Sequence, residues 1–469
     1  MESIRLILKS LKRWSNLIFI GIDVGTTSIG VAVLDLEKRK IVEIVNKENT
    51  SWIQSNNEWE RIQDTKIVLK KISSILEGFF KKYKDIGGIC VTGQMHGITY
   101  LDREGNALSP LYTWQDNRGR LDYKNKKTYT EELSDLTNYR MFTGYGLVTH
   151  FYNLKNNLVP EGIAYISTIA DYISMKLCGL KKPSIDFTNA ESIGCFDLNK
   201  YMFQYDSLEK AGIESGILPE AYSSRVKIGL YKDSIPVINS IADNQASILG
   251  SSGNIEETVN INIGTGGQIS IYSDKYISHK EIEIRPFFDK GYIFVGASLC
   301  SGRAYHLLES FFKNTFKIFD ISYEEKIYDK MNSIEPGFLN SSNKLIIDTR
   351  FEGTRINSNL RGSIKNIGTT NFTPQNMISG FLYGIAEEQL SFYKIINKYI
   401  GQKPKQIVAT GNGIRKNNLL RLIFENVFNL PIKITTYNEE AAVGAAINAA
   451  IGTNNLDGYF NNAELISYI

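Results

Sequence analysis

The sequence predicts an α/β protein made of two similar halves, and three observations support this prediction. A run of alternating apolar residues from Leu17, LIFIGIDVGTTSIGVAVLDLEKRKIVEIV, surrounds a Gly/Thr/Ser turn and is typical of strands joined by tight turns. A second run, TVNINIGTGGQISIYS, repeats this pattern, and its Gly264 lies 239 residues after Gly25. Segments with apolar residues at helical spacing follow both runs, as in α/β domains.

The other elements are predicted in order along the chain. Apolar residues at helical spacing predict a helix over 58–83, and GGICVTG then predicts a buried strand. A hairpin is expected at ITYLDREGNALSPLYTW, followed by helical and irregular segments over most of 120–235. The second half is predicted to contain the strand QIVATG, an Ala-rich run at EEAAVGAAINAAIG, and helices at about 302–316, 374–400 and 417–428.

The domain organisation is predicted from the repeat and from the absence of a Pro- or Ser-rich linker. We expect an N-terminal extension over 1–16, a first domain over 17–238 and a second over 239–469, with the two domains hinged around a shared cleft. The first 16 residues are basic and amphipathic, but the apolar stretch after them is short and is followed by no cleavage-site pattern, so we do not expect a signal peptide.

The composition excludes several classes of protein. Of 469 residues 42% are hydrophobic, and 53 Lys+Arg against 50 Asp+Glu leave a net charge of +3, which argues against a disordered chain and a nucleic-acid partner. No run of 18 apolar residues occurs, so no membrane association is expected. The four cysteines form no CxxC pair, which indicates neither a zinc site nor a disulfide framework and favours reduced thiols in the cytoplasm.

The two glycine turns are candidate phosphate sites. The first contains Gly25, Thr26 and Thr27, and the second is Gly264-Thr265-Gly266-Gly267; both offer backbone N–H and hydroxyl donors. Asp23, at the end of the preceding strand, is a candidate ligand for a hydrated Mg²⁺. Each turn alone is also compatible with a plain β-turn, but one in each half favours binding of a single nucleotide. The P-loop and Rossmann fingerprints are absent.

Two further motifs extend the nucleotide hypothesis to a reaction. Gly411 and Gly413 lie in a strand-to-helix turn that suits an adenosine moiety, with a structural connection as the alternative. Asp243, in IADNQAS, is interpreted as a general base for a sugar hydroxyl, with a helix N-cap as the alternative.

Polar residues at strand ends predict a pocket for a polyhydroxylated substrate. They are Gln94, Met95 and His96 in GQMHG, and Trp114, Gln115, Asp116 and Arg118 in LYTWQDNR. The alternatives are a structural histidine, a core tryptophan, and an Asp116–Arg118 pair that only braces a solvated hairpin.

Together these motifs resemble the FGGY carbohydrate kinases, members of the actin/hexokinase/Hsp70 ATPase superfamily, from about Ile20 to Gly452. The resemblance implies two actin-like, ribonuclease H-like ATPase domains around a central cleft. It also implies that Asp243 is the catalytic base, that Asp23 positions Mg²⁺, and that Asn244, Met95 and His96 contact the sugar. Further nucleotide contacts are implied at Ser301 and Gly302 in LCSGRAY, and at Asn417 in TGNGIRKNN. Ala242 departs from the family pattern, which usually has Gly before the base.

The resemblance implies transfer of the γ-phosphoryl group of ATP, with Mg²⁺, to a terminal hydroxyl of a ketose. LYTWQDNR, FEGTRINSNLRGSI and GNGIR are most similar to sedoheptulokinases, whereas GQMHG is shared with xylulokinases. Sedoheptulose is therefore the expected substrate, and xylulose or another ketose or polyol is the alternative. Outside this class, an actin- or Hsp70-like ATPase and a non-catalytic sugar sensor stay open, and a homodimer is possible.

Overall fold

A computed structural model describes residues 17–288, 291–322, 326–334, 343–357, 359–460 and 462–469, so the predicted extension 1–16 lies outside the described residues. Its α-helices are α1 Thr65–Lys82, α2 Tyr129–Thr137, α3 Gly146–Lys155, α4 Ile169–Leu177, α5 Phe187–Ile193, α6 Tyr205–Lys210, α7 Asp243–Ser251, α8 Gly302–Ile318, α9 Ile327–Asn332, α10 Pro374–Ile400, α11 Asn412–Arg415, α12 Asn418–Phe428 and α13 Glu440–Gly452. Its strands are β1 Ile18–Val24, β2 Ser28–Asp35, β3 Lys40–Glu48, β4 Trp52–Ile53, β5 Ile62–Gln63, β6 Ile86–Gly93, β7 Thr99–Leu101, β8 Leu111–Tyr112, β9 Tyr165–Ser167, β10 Ser184–Asp186, β11 Phe196–Asp197, β12 Met202–Phe203, β13 Glu220–Tyr222, β14 Lys227–Tyr231, β15 Ile235–Ala242, β16 Thr258–Ile263, β17 Gly267–Ser273, β18 Glu283–Pro286, β19 Tyr292–Ser298, β20 Ile346–Asp348, β21 Ser363–Lys365, β22 Gln406–Thr410 and β23 Ile432–Ile434.

The chain divides into two compact units whose limits differ from the predicted domains. The first unit contains the described residues of Met1–Gly253, Pro286–Lys290 and Glu439–Ile466. The second contains those of Asn254–Arg285, Gly291–Asn438 and Ser467–Ile469. The boundary expected after residue 238 falls inside β15, whose pairing with β6 holds it and the following helix α7 in the first unit.

The first unit is built on a six-stranded sheet in the order β14-β15-β6-β1-β2-β3. Strands β1, β2 and β3 are antiparallel, while β6 and β15 run parallel to β1. Ile20 and Ile22 of β1 pack in one core cluster with Val68 and Ile72 of α1, so this face of the sheet is covered by a helix. The central strands β1, β2 and β6 are buried on both faces, so the residues between their alternating apolar positions are also shielded from solvent.

The Ala-rich helix α13 packs on the first unit through backbone contacts. A Cβ on Gly21 would overlap the carbonyl oxygen of Ala442, and a Cβ on Gly250 of α7 would overlap that of Glu440. A Cβ on Gly444 would in turn overlap the carbonyl of Ala246. Only small residues permit such close approach, and this explains why the run EEAAVGAAINAAIG belongs to the first unit although it lies near the end of the chain.

Five of the six strands in the second unit repeat the sheet topology of the first, and the sixth strand is added at the opposite edge, where β18 lies beside β19. Its six strands have the order β18-β19-β17-β16-β22-β23, with β16, β17 and β19 antiparallel and with β22 and β23 parallel to β16. Helices α8, α10 and α12 contribute Leu308, Leu382 and Ile423 to its core. The predicted internal repeat of strand, glycine turn and strand is confirmed by β1–β2 and β16–β17.

Most helix predictions agree with the structure, and one start was wrong. The helix expected at 374–400 forms as α10, which Thr373 caps at its N-terminus and Gly401 ends in a left-handed conformation. The helix expected over 58–83 begins only at Thr65, because Asp64 accepts hydrogen bonds from the next turn and β5 occupies the two residues before it.

A buried polar network lies beneath the end of β15. Asp171 in the first turn of α4 accepts hydrogen bonds from the hydroxyls of Thr168 and Ser240. Burial raises the pKa of Asp171 to about 8, with these hydroxyl bonds opposing the shift, and it raises the pKa of the neighbouring Asp186 to about 6.

We predict that the titration of Asp171 lowers the melting temperature as pH rises from about 4 to 8. Folded Asp171 holds its proton to about pH 8, whereas the unfolded chain releases it near the ordinary value of about 3.9, so the folded state binds more protons in this window. Asp171→Asn removes the titration and should flatten the fall between pH 6 and 8, above the range of Asp186. Thermal unfolding from pH 5 to 9 measures this, with exposed Asp135→Asn as the control. Equal slopes in wild type and Asp171→Asn would contradict the assignment.

Candidate active site

The carboxyl ends of three parallel strands in the first unit lie side by side, and the predicted motifs are found there. Val24 of β1 pairs with Gly93 of β6, and Gly93 pairs with Ala242 of β15. The first glycine turn, the GQMHG segment and Asp243 therefore follow neighbouring strand ends. Ligands of open α/β sheets bind at such carboxyl ends.

Hydrogen bonds from Asn49 and Gln63 hold the carbonyl oxygens of the first glycine turn. Asn49 donates its side-chain N–H to Gly25 O over 2.9 Å and its backbone N–H to Thr27 O over 2.8 Å. Gln63 Nε2 donates to Thr26 O over 2.8 Å. Because each trans peptide points its N–H opposite to its C=O, the N–H groups of Thr26, Thr27 and Ser28 each point away from the residue that holds the preceding carbonyl. A row of such donors suits a phosphate.

Asp23 belongs to a row of residues paired across β1, β2 and β3. The carboxylate of Glu439, which no sequence motif indicated, lies against this row. Asp23 pairs with Gly30, and Gly30 pairs with Asn46. Glu439 occupies the space where Gly30 lacks a Cβ, and it accepts a hydrogen bond of 2.5 Å from Asn46 Nδ2. Burial, followed by the carboxylates of Asp243 and Glu439, raises the pKa of Asp23 well above its ordinary value. Burial also raises the pKa of Glu439.

Asp23 fits the predicted role at a magnesium ion. Its Oδ1 is shielded from solvent and has no hydrogen-bond partner among the described residues, although a second carboxylate lies nearby. The described part of the chain holds no group of three or more His, Cys, Asp or Glu side chains arranged around an ion. Mg²⁺ is commonly held by one or two carboxylates, with water and substrate phosphates as its other ligands, so this donor set is compatible with it.

Asp243 begins helix α7 and is half-buried. Ala242 takes the N-cap position, so the N-cap alternative for Asp243 is wrong. The backbone N–H of Ala242 donates to Thr188 Oγ1 over 2.8 Å, and this bond fixes the strand end before Asp243. A carboxylate in the first helical turn is stabilised in its ionised form by the N-terminal N–H groups. The adjacent Asn244 has a buried Oδ1 without a hydrogen-bond partner among the described residues.

The GQMHG segment holds its histidine in a defined orientation. His96 has φ 75°, a left-handed conformation that is uncommon outside glycine. Its backbone N–H donates to Ser192 Oγ over 3.2 Å, and its ring Nδ1 donates to Ser192 O over 2.6 Å. The ring stacks on Tyr145 at 4.6 Å between centroids. Since a carbonyl only accepts, Nδ1 carries the proton, and Nε2 is the accepting nitrogen of the neutral ring. Met95 beside it is buried.

Gln94 and Trp114 both reach the first glycine turn. Gln94 is buried, and its Oε1 lies 3.5 Å from Thr26 Oγ1. Trp114 is 46% exposed and donates its indole N–H to the same hydroxyl over 3.0 Å. The predicted sugar-binding and phosphate-binding residues are therefore in direct contact here.

The structure corrects the prediction for Asp116 and Arg118, which are 0% and 2% exposed. Asp116 accepts from Arg118 Nε over 2.7 Å and from Nη2 over 3.0 Å, and its Oδ2 also accepts the backbone N–H of Arg61 over 3.0 Å. The Arg118 guanidinium lies 4.2 Å from the ring centroid of Tyr112 and bonds Glu60. The pair is a buried brace, so we remove both residues from the substrate set.

We predict that Asp116→Ala destabilises the fold without changing sugar preference. Removing one partner of a buried ion pair leaves the other charge uncompensated and costs about 3–5 kcal/mol. Chemical denaturation should show this loss, while the neighbouring exposed Gln115→Ala should change stability by less than about 0.5 kcal/mol. If Asp116→Ala instead keeps its stability and changes the ratio of kcat/KM between two ketoses, Asp116 returns to the set of substrate-binding residues.

The second glycine turn is anchored by the N-terminus of α8. Gly302 N–H donates to Gly264 O over 3.1 Å, and Ser301 and Arg303 N–H groups donate to Thr265 O over 3.2 and 3.0 Å. The N–H groups of Ser301 and Gly302 therefore brace the turn. Gly264 has open space where a Cβ would lie, and both Gly264 and Thr265 are exposed. Gly266 completes the turn by accepting Gly264 N–H over 3.0 Å.

The third predicted nucleotide motif lies next to this turn. Gly411, with φ 87°, follows β22, and a Cβ there would overlap Ile263 O at the end of β16. Gly413 packs against Ile263 in the same way. Asn417 is buried, and its Oδ1 caps α12 by accepting Leu420 N–H over 2.9 Å. We therefore assign Asn417 to the helix cap instead of the predicted nucleotide contact.

Comparison with known proteins decides the family. Residues 18–250 match the N-terminal domain of the FGGY family of carbohydrate kinases, and residues 260–453 match its C-terminal domain. The chain belongs to the FGGY family of carbohydrate kinases. As a family member it is a sugar kinase, and this confirms the resemblance and the kinase class predicted from the motifs.

Individual relatives are distant but cover almost the whole chain. A sedoheptulokinase of Mus musculus is 25% identical and covers 92% of this chain and 97% of its own. A xylulose kinase of Lactococcus lactis is 24% identical, covering 96% and 89%. The structure of gluconate kinase from Lactobacillus acidophilus has a TM-score of 0.81 at 21% identity, covering 97% of this chain and 93% of its own. That of xylulose kinase from Rhodospirillum rubrum has a TM-score of 0.81 at 20% identity, covering 96% and 93%.

These structures confirm the predicted actin-like α/β fold. Among the described helices of this FGGY kinase, none is long and apolar enough to cross a bilayer. The four cysteines Cys90, Cys178, Cys195 and Cys300 are free thiols.

Proposed function

We propose that this FGGY kinase transfers the γ-phosphoryl group of ATP to a terminal hydroxyl of a ketose, with sedoheptulose as the preferred substrate. One observation carries the proposal most directly: the strand ends at Val24, Gly93 and Ala242 lie in register. A phosphate-binding turn, hydroxyl-binding side chains and a carboxylate base thus share one edge of one sheet. Phosphoryl transfer depends mainly on such positioning and on charge stabilisation.

Asp243 is proposed as the general base. Its carboxylate takes the proton of the attacking sugar hydroxyl while the hydroxyl oxygen forms a bond to the γ-phosphorus and the bond to the ADP leaving oxygen breaks. Asp243 lies in the first turn of α7, where the N-terminal N–H groups of a helix favour a negative charge. Thr188 contributes by holding the preceding residue, Ala242.

The glycine turns are proposed to hold the phosphates. In the first unit, the N–H groups of Thr26 and Thr27 face away from the anchored carbonyls and can bind phosphate oxygens. In the second unit, the N–H groups of Thr265 and Gly266 offer the same chemistry, because the carbonyls of Gly264 and Thr265 are held, while the Gly264 N–H closes the turn on Gly266 O. When bound, Mg²⁺ neutralises negative charge on the phosphate oxygens. Asp23 is the carboxylate that would hold it, directly or through water.

The ketose is proposed to bind against GQMHG and Trp114. His96 Nε2 accepts a hydrogen bond from a sugar hydroxyl, because its ring is fixed by Ser192 and Tyr145. Trp114 offers an exposed ring on which the apolar face of a sugar can stack. Asn244, beside the base, has a buried carboxamide oxygen available for a further hydroxyl.

Xylulose is the second candidate substrate. The xylulose kinase of Lactococcus lactis is 24% identical to this chain, and the mouse sedoheptulokinase is 25% identical. Because Asp116 and Arg118 brace the fold, the preference for a seven-carbon sugar rests on the remaining motif similarity and on Gln115. A cytoplasmic location, a homodimer and the absence of nucleic-acid and membrane partners stay proposals.

We predict that Asp243→Asn lowers kcat by about 10²–10⁴, the range for loss of a general base. The melting temperature and the Kd for nucleotide should change little, because the variant keeps the size and helix position of the side chain. Steady-state kinetics with calorimetry measures both, and Asp135→Asn is the exposed control. Unchanged turnover would remove Asp243 from the reaction, and binding of sugar without turnover in the wild type would favour a sensor.

We also predict that kcat/KM is higher for sedoheptulose than for D-xylulose. A site that hydrogen-bonds several hydroxyls rejects analogues lacking them, because its buried polar groups are then unpaired. A coupled ADP-release assay over ketoses and polyols measures the order, and His96→Ala should impair both sugars. A preference for xylulose would move the assignment to a xylulokinase, and ADP release independent of any sugar would argue against a kinase of this class.

A further inference from the structure

Gln63, at the end of the short strand β5, is a fully buried side chain with 0% exposure. Neither the motifs nor the family resemblance drew attention to it. Its carboxamide makes two hydrogen bonds of good length. Nε2 donates to Thr26 O over 2.8 Å, and Oε1 accepts from Gln94 Nε2 over 2.8 Å.

These bonds join two different binding segments. Thr26 belongs to the first glycine turn, and Gln94 belongs to the ketose set. A longer contact of 3.5 Å from Thr26 Oγ1 to Gln94 Oε1 closes a ring, and Trp114 joins it by donating to Thr26 Oγ1 over 3.0 Å. Each member of the ring except Gln63 has a proposed ligand of its own.

The orientation of one peptide depends on this ring. Gln63 holds the carbonyl of Thr26, and the planar trans peptide then fixes the direction of the Thr27 N–H, which is a proposed phosphate donor. The amide nitrogen of Gln63 bonds Thr26, and its oxygen bonds Gln94. If Gln94 moves, Gln63 must therefore move with it or a buried hydrogen bond breaks. Breaking such a bond in a buried site is costly, so movement of the whole ring is favoured.

We propose that Gln63 is a positioning residue that couples occupation of the ketose pocket to the phosphate-binding geometry of the first glycine turn. A ketose that orders Gln94 and Trp114 thereby orders the Thr26–Thr27 peptide and strengthens nucleotide binding. The coupling is reciprocal, so nucleotide strengthens ketose binding by the same factor. This proposal rests on the proposed ketose kinase function.

The test measures the factor by which saturating ketose changes the Kd of a non-hydrolysable ATP analogue. Calorimetry on the full chain should give a factor of about 5 or more for the wild type, in the usual range for coupled sites. Gln63→Met keeps the side-chain length but removes both hydrogen bonds, and we expect its factor to fall to within about twofold of one. Its Kd for ketose alone should change by less than about threefold, because no sugar contact is removed.

Two further variants separate coupling from stability. Asn448→Leu removes another fully buried carboxamide, which donates to Ser224 O over 3.0 Å and to Cys90 Sγ over 3.4 Å. It should lower the melting temperature as Gln63→Met does and keep the wild-type coupling factor. Gln63→Leu also removes both hydrogen bonds, so it too should lose coupling, and it serves if Gln63→Met does not fold.

The outcomes are distinguishable. A wild-type factor near one, or an unchanged factor in Gln63→Met and Gln63→Leu, overturns the role of Gln63 while leaving the kinase function in place. If the wild type binds none of the ketoses, the proposed function itself fails and the coupling fails with it.

Discussion

The register of three parallel strands is the constraint on which the active-site edge of the first unit depends. Val24, Gly93 and Ala242 are neighbours across β1, β6 and β15, so the chain leaves the sheet at the same level three times. A slip of one residue in β15 would turn alternate side chains to the opposite face and displace Asp243 from the turn after Val24. The close packing of α13 on β1 and α7, where Gly21, Gly250 and Gly444 leave no room for a Cβ, holds this arrangement from one face.

Local patterns in the sequence were sufficient for much of the fold. The two glycine turns between alternating strands predicted the repeated sheets, and the Pro374 start and Gly401 end bounded α10. The limits of the two units were not predictable in this way. Residues 239–253 and α13 belong to the first unit because of strand pairing and backbone contact between segments about 150 to 420 residues apart, for which a local pattern contains no information.

The site shows the same division between local and distant information. Asp23 lies near the end of β1, and His96 and Asp243 follow β6 and β15 in recognisable motifs, so the structure places all three at neighbouring strand ends. Asn49, Gln63 and Glu439 are single polar residues without a motif, and only the folded chain shows that they hold or cover the first glycine turn. For Asp116 and Arg118 the composition of the segment was misleading, because adjacent polar residues have the same pattern whether they face a ligand or each other. Burial and the bidentate bond distinguish the two cases.

In both glycine turns the carbonyl oxygens are held by hydrogen bonds, but the partners differ. Side chains of Asn49 and Gln63, together with one backbone N–H, hold the carbonyls of the first turn, whereas backbone N–H groups at the start of α8 hold the carbonyls of Gly264 and Thr265. A phosphate site made of N–H groups requires the carbonyls of the same peptides to be satisfied on the opposite side, because unpaired carbonyls would otherwise compete for those donors or face the phosphate. Anchoring by a helix terminus fixes a turn to its own unit. A side chain such as Gln63, which also bonds a residue of the proposed ketose pocket, allows the geometry of the turn to change when that pocket is filled. Coupling is therefore expected at the first turn and not at the second.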